Sequence, residues 1–369
     1  MDLDERQCTM INCELTPFER GRLYAQGMAV DRLPTSLIGS ETAGYLYGYK
    51  VWDSYFDVDA IVDIESRLYE EFGADGICVG PGLKGIAEVL GAELVYPENG
   101  ICYVQRGLSL EMLDGLSVLD CRYLTKRMEA NLESLKRLSE KYDGIVPVYN
   151  DVGGPFTTAA AVCGYEQFLR CLGKDTEKVQ RCLDAAVESI LAWVDLVYRA
   201  CGAAPAIAEP LISGDLLSYS RFQAFAKPAL ERLVQGVEKI TGSAPGLHVC
   251  GKSSRLWRDI AQIGIKSMSI DNCENLEDFK NQVGDLMGLG GNVSPTETLF
   301  LGTPEDVDAR VKACVLAASD NPCGFSVGPG CQIPIGTPRR NLHAFMEASR
   351  KYTKNAVLGQ RCKAVCEYQ

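Results

Sequence analysis

From about residue 76 onward, short apolar or β-branched runs alternate with longer stretches whose apolar residues recur every three to four positions. The short runs predict strands over 76–80, 145–150, 204–209, 246–250, 266–271, 286–292 and 324–328, with an eighth near 33–38. Apolar runs of this length suit strands buried on both faces. The clearest helical stripe covers 176–200, where Val179, Leu183, Ala186, Val187, Ile190, Leu191, Val194 and Val197 share one face. Further helices are predicted over 304–318 and after Thr337-Pro338, a cap followed by proline, with Leu342, Phe345 and Met346 inward. Near the N-terminus, Thr16-Pro17-Phe18-Glu19 has the form of a capping box with proline in the first turn, and this helix ends near Gly27. Asp57-Val58-Asp59 opens another that runs to Phe72.

Strands that alternate with helices imply a parallel sheet. Polar residues stand where the predicted strands end: Asn150 and Asp151, Glu209, His248 and Cys250, Asp271, Asn292, and Cys331 just past the last. A (β/α)8 TIM barrel gathers its chemistry at those strand ends, whereas an open doubly wound sheet concentrates it at one crossover. The expected fold is therefore α/β, a (β/α)8 barrel over residues 73–369 with an N-terminal helical extension, residues 1–72, packed on it as one structural domain. No Pro/Gly/Ser-rich linker, low-complexity segment or internal repeat divides the chain.

The formal charge of −12 and pI near 4.9 oppose nucleic-acid binding, which needs a basic face. No apolar run is long enough to span a bilayer, and the acidic start Met1-Asp2-Leu3-Asp4-Glu5 is unlike a secretory signal, so a cytoplasmic protein is expected. The sixteen cysteines, among them Cys8, Cys13, Cys78, Cys102, Cys163, Cys201 and Cys314, are scattered through mostly apolar stretches and are expected to be reduced, buried small hydrophobes. Cys362 and Cys366 have helical spacing and are assigned to a helix end.

His248-Val249-Cys250 and the later Cys331, in Gly328-Pro329-Gly330-Cys331, form the main candidate site. One imidazole and two thiolates are a soft set suited to zinc, and three protein ligands leave a tetrahedral position for a substrate. His248 and Cys250, two apart on one strand, point to the same side. Asp271 and Glu209, ending the neighbouring strands, are candidates for a fourth ligand or for a partner that orients His248. A structural zinc site is the non-catalytic alternative, but such sites are usually closed by four strong ligands.

An ordered set of motifs surrounds these residues: His248-Val-Cys-Gly251, Gly291-Asn-Val-Ser-Pro295, Leu301-Gly-Thr-Pro-Glu305, Gly328-Pro-Gly-Cys-Gln-Ile-Pro334 and Thr337-Pro-x-x-Asn-Leu342. Together with Thr16-Pro-Phe-Glu-Arg20 and Val30-Asp-Arg-Leu-Pro34, the set resembles the uroporphyrinogen decarboxylase-like superfamily, and within it the cobalamin-dependent methyltransferases. The likeness spans nearly the whole chain and is densest after about residue 204. The decarboxylases carry an arginine-rich segment where this chain has Thr35-Ser-Leu-Ile-Gly-Ser40, and their reaction needs no metal, so that activity is disfavoured. In the methyltransferase branch the residues matching His248, Cys250 and Cys331 bind zinc. Some members complete the shell with a glutamate where this chain has Asp271, a shorter side chain, and Glu209 stands as the substitute.

The resemblance implies a methyl transfer involving cobalamin presented by a separate corrinoid protein, because no Asp-x-His-x-x-Gly sequence is present to house it; docking is expected to be transient. In one direction a methylated small molecule, best an aryl methyl ether, gives its methyl group to cob(I)alamin; in the other, methylcobalamin gives it to a thiol. The aromatic segment Tyr45, Tyr47, Tyr49, Trp52, Tyr55 and Phe56 favours the aryl ether, although such rings also serve to pack an extension onto a barrel. Asn150, Asp151, Asp215, Tyr219 and Asn292 are the candidates for contact with substrate or corrinoid, and Lys252 lies beside the ligand pair.

Overall fold

The computed structural model describes residues 14–37 and 40–367. Cys8 and Cys13 lie outside them, as does Ile38 at the end of the eighth predicted strand. Seven parallel strands form one sheet in the order β1 (Ile77–Gly82), β4 (Val148–Gly153), β5 (Ala204–Ala208), β6 (Gly246–Val249), β7 (Ser267–Ile270), β8 (Gly288–Val293) and β9 (Phe325–Pro329). Each falls on a predicted run. β2 (Glu93–Val95) and β3 (Tyr103–Arg106) form a small antiparallel hairpin inserted after β1, which the sequence pattern does not announce.

The eighth position of the barrel is reduced to a bridge. Thr35 pairs in parallel with Val327 of β9: Ser36 N donates to Val327 O at 2.8 Å and Val327 N to Pro34 O at 3.0 Å. On its other side Thr35 meets Asp75, just before β1. Asp75 N donates to Thr35 O at 2.8 Å, and Thr35 N donates to the Asp75 carboxylate at 2.7 Å. Pro34 has no N–H to extend the ladder, so closure passes to this reciprocal pair. Arg20 and Arg32 both bind the same carboxylate, and Arg20 also reaches Asp31 at 2.7 Å, giving a buried ionic knot at the N-terminal end of the barrel. The closing segment thus comes from before residue 73, and the fold is the (β/α)8 barrel with its eighth strand shrunk to one bridge.

The helices follow their sequence signals closely. Helix Thr176–Cys201 is capped by Asp175 and ended by left-handed Gly202, and its predicted stripe is buried apart from the half-buried Leu191. Thr16 and Glu19 form the expected capping box on Pro17–Ala25, and Asp57 caps Val58–Phe72. Helix Pro304–Ala318 matches its predicted span. The last long helix, Arg339–Tyr352, begins one step later than Thr337-Pro338 suggested: the Thr337 hydroxyl donates to Pro334 O at 2.7 Å and caps nothing. Among the described residues no helix is long and apolar enough to cross a membrane.

Candidate active site and metal centre

A parallel barrel is ordinarily filled by layers of branched side chains. Here the inward positions are small: Cys78 on β1, Ala206 and Ala208 on β5, Ser269 on β7, Gly290 on β8 and Ser326 on β9 all line a cavity of about 610 Å³. That volume lies in the range of small-molecule sites. His248, Cys250, Cys331 and Gln332 line the same cavity.

Side-chain parity on β6 turns His248 inward, and Cys250 follows on the same side. The His248 Nε2 stands 3.1 Å from Cys250 Sγ, and that sulfur stands 3.4 Å from Cys331 Sγ. The three donor atoms lie within 4.8 Å of one another, and among the described residues they are the cluster of three or more His, Cys, Asp or Glu able to hold a metal. Tetrahedral zinc with ordinary bond lengths spaces such donors about 3.5–3.8 Å apart, so the His248–Cys250 and Cys250–Cys331 spacings lie within tenths of an ångström of metal-bound ones. The donor set fits zinc.

Ser269, directly across from His248 in the parallel register, hydrogen-bonds the imidazole Nδ1 at 2.9 Å. This contact fixes the ring and leaves Nε2 facing the sulfurs, the orienting role that partners of metal-binding histidines perform. The hydrogen bond from Cys250 and the neighbouring His248 pull the Cys331 thiol below its ordinary range, while the same bond and burial push the Cys250 thiol up.

Both carboxylates considered for the fourth position stand outside the cluster. Asp271 accepts from Gly251 N at 2.9 Å and from Cys273 N at 3.0 Å, tying the loop after β7 to the turn that follows Cys250. Gly251 has φ +66°, and a Cβ there would press on Ser213 Oγ at 2.7 Å and Asp215 Oδ2 at 2.8 Å, so the turn requires glycine. Glu209 is buried at the start of helix Pro155–Cys163, where it accepts from Phe156 N at 2.6 Å and Thr157 N at 3.1 Å. Burial pushes its carboxyl up to about 8 against the pull of those N–H groups. The carboxylate sits against Gly154, where any Cβ would come within 2.1 Å of it.

The other sequence candidates separate into inward and outward sets. Asp151 on β4 lines the cavity; burial raises its carboxyl to about 6, Glu41 adds to the rise, and Arg127 and His248 oppose it. Asn150, one residue earlier, faces outward and accepts from Trp193 Nε1 at 3.0 Å. Asn292 is buried at the end of β8 and donates to Asp271 O at 3.0 Å and Glu274 O at 2.8 Å, bracing the adjacent loop. Asp215 accepts from Lys252 N at 3.1 Å, with Lys252 Nζ 3.5 Å from its carboxylate, and so steadies the loop beyond Cys250 from the surface. Tyr219 lies on the outer surface, its hydroxyl donating to Asp259 at 3.0 Å.

The aromatic segment does not wall the cavity. Trp52, Tyr55 and Phe56 pack on Tyr96, next to the hairpin, with Tyr55 and Phe56 centroids 5.1 and 4.8 Å from that ring, and Tyr45 donates to Thr337 O. The rings that do line it are Tyr69 and Tyr149. Sequence reasoning also missed Ser269, Glu41, Glu65 and Arg127. For Ser269 a signal existed, since Ser267 and Ser269 alternate with apolar residues beside the His248 strand; Glu41, Glu65 and Arg127 sit in short or amphipathic helices among many other polar residues, with nothing in the pattern to single them out.

A model of the uroporphyrinogen decarboxylase (URO-D) family matches residues 16–352. A methylated-thiol–coenzyme M methyltransferase of Methanosarcina mazei is 28% identical over 348 residues, covering 92% of this chain and 90% of its own. A methylcobamide:CoM methyltransferase, MtaA, of Methanosarcina barkeri (strain Fusaro) is 26% identical over 333 residues, covering 89% and 95%. Among solved structures, a methyltransferase from Methanosarcina mazei superposes with TM-score 0.80 at 25% identity, covering 91% of this chain and 98% of the other.

Proposed function

Since the chain belongs to the uroporphyrinogen decarboxylase (URO-D) family, we propose that it is a corrinoid methyltransferase that uses zinc at His248, Cys250 and Cys331 to methylate a small thiol, with a separate corrinoid protein supplying the methyl group. The observation that carries the reading is the three soft donors within 4.8 Å of one another on the wall of a roomy cavity, with both nearby carboxylates engaged by backbone N–H groups. Such a centre has three strong ligands and a position for a fourth from outside, the arrangement of catalytic zinc.

Of the two directions open from the sequence, thiol methylation is favoured. The relatives just described are named for thiol and coenzyme M methyl transfer, and the rings that favoured an aryl ether pack on Tyr96. Decarboxylation is left without a role for the His-Cys-Cys set.

Bound zinc would lower the pKa of a coordinating thiol, so that it is present as thiolate at neutral pH. The protein's part is positional. Ser269 holds the His248 ring in place, Asp271 and Asp215 fix the Gly251–Lys252 turn, and the small barrel-facing residues leave space for a small thiol beside the ligand set. In the reaction the substrate sulfur attacks the methyl carbon in line with the carbon–cobalt bond. The S–C bond forms, the Co–C bond breaks with its electron pair remaining on cobalt, and methylcob(III)alamin becomes cob(I)alamin. The thiol proton goes to solvent. The arrangement supplies proximity and alignment.

The test is anaerobic absorption spectroscopy of zinc-loaded protein with methylcob(III)alamin. Loss of the methylcobalamin spectrum and appearance of cob(I)alamin and a thioether, both dependent on added thiol and abolished by chelation, are expected. Methylation of cob(I)alamin by methoxylated aromatics, without thiol methylation, would overturn the direction.

A further inference from the structure

We infer that the cavity wall carrying Glu65, Asp151 and Glu41 is a second subsite that binds the protonated amine of an aminothiol acceptor, which makes the substrate a cationic or zwitterionic thiol. The inference rests on the thiol-methylation reading above and specifies its substrate class.

Glu41, Glu65, Arg127 and Asp151 all line the cavity that holds His248, Cys250 and Cys331. Glu65, on helix Val58–Phe72, is 7% exposed, and among the described residues its carboxyl makes no hydrogen bond or salt bridge. Among the described residues the Asp151 and Glu41 carboxyls likewise make neither. Asp151 and Glu65 both act on the Cys78 thiol of β1, and Glu41 acts on both Asp151 and Arg127, so the group is one neighbourhood. Gly82 marks its upper edge: a Cβ there would lie 3.5 Å from Arg127 Nη2 and 3.5 Å from Asp151 Oδ2.

The protein's own cations do not consume these acceptors. Arg127 is 2% exposed, donates through Nη1 to Cys102 Sγ at 3.4 Å, stacks 4.7 Å above the Tyr55 ring, and leaves Nε without a partner. Lys84, in the loop after β1, also lines the cavity and makes no ion pair with these acids among the described residues. Asp75, also on the lining, is held by Arg20 and Arg32. A buried carboxyl with no donor, Glu65, facing a cavity beside two half-buried ones, is costly to a folded protein unless something occupies the site. An alkylammonium offers three N–H donors and a positive charge, and Arg127 stands beside it for a carboxylate if the acceptor carries one. Asp151, Glu65 and Glu41 line the same cavity as His248, Cys250 and Cys331, so the acids and the sulfur position open onto one shared space.

The experiment compares three acceptors of one length with methylcob(III)alamin: 2-aminoethanethiol, 2-mercaptoethanol and 2-mercaptoethanesulfonate. The expected kcat/KM order is amine over alcohol over sulfonate, with at least about a tenfold step from amine to alcohol. In Glu65→Gln and in Asp151→Asn the amine-to-alcohol ratio falls toward one. A parallel calorimetric titration of zinc-loaded protein with the amine and the alcohol thiols reads the same preference without turnover. Preference for the sulfonate, or a ratio unmoved in both variants, overturns the subsite while leaving thiol methylation standing. If no thiol is methylated, the reaction assignment fails, and equal calorimetric affinities for the amine and the alcohol then overturn the subsite as well.

Discussion

Replacing Glu65 by Gln tests whether an unpaired acid is buried in the barrel. The side chain is 7% exposed and lacks a partner among the described residues, and burial alone pushes its carboxyl from the ordinary 4.5 up to about 8. In the unfolded chain the proton is lost near 4.5, whereas in the folded protein it is retained up to about 8. The native state therefore binds more protons across that window, and Glu65 lowers stability progressively as pH rises through it. Below 4.5 both states are protonated and the group contributes no pH dependence. At 1.36 kcal/mol per pH unit, ionising the buried acid costs up to about 5 kcal/mol at pH 9. Gln keeps the shape and does not titrate. Urea denaturation at pH 5, 7 and 9 should show the variant gaining on the parent by about 2–3 kcal/mol between pH 5 and 7, and by a further 1–2 kcal/mol by pH 9. Any constant cost of the amide shifts all three points equally and leaves the slope intact. A difference independent of pH, or one shrinking as pH rises, would refute the burial argument.

Other expectations follow from particular contacts. Ser269→Ala removes the 2.9 Å partner of the His248 Nδ1; competition with a chromophoric chelator should show zinc affinity falling about 10–100-fold with little change in Tm. Asp75→Ala takes one carboxylate from two buried arginines and from the bridge that closes the barrel, and should cost about 3–5 kcal/mol in urea denaturation. Glu209→Ala leaves the Phe156 and Thr157 N–H groups without their acceptor; a loss of about 1–3 kcal/mol is expected, with zinc affinity retained because Glu209 stands outside the ligand cluster.

The barrel was legible because its strands are continuous apolar runs separated by long amphipathic helices, and because the polar residues cluster at strand ends. That legibility has a cost: a strand buried on both faces carries no alternation to say which residues face inward. Asn150 and Asp151 were equally plausible from the sequence, yet one meets Trp193 outside the sheet and the other faces the cavity. The aromatic segment suggested a substrate wall because its partner ring, Tyr96, lies forty-odd residues away beside a hairpin with no strong pattern. Glu65 and Arg127 were invisible for a related reason: an amphipathic helix shows which face is polar but not that one polar residue turns into a cavity. The His248, Cys250 and Cys331 set was readable because its chemistry is rare and both of its parts stand at strand ends of one barrel, after β6 and after β9. Its partner Ser269 depends on register, which only the paired strands reveal.

His248, Cys250 and Cys331 are expected to hold zinc with a position left for a substrate sulfur. Zinc X-ray absorption on the loaded protein, before and after adding 2-aminoethanethiol, tests it most directly. One imidazole nitrogen, two sulfurs and one light-atom ligand are expected at first, and three sulfurs after the thiol is added, with both cysteine sulfurs lost in the Cys250→Ala/Cys331→Ala double variant. A shell already closed by four protein ligands that the thiol leaves unchanged would contradict it.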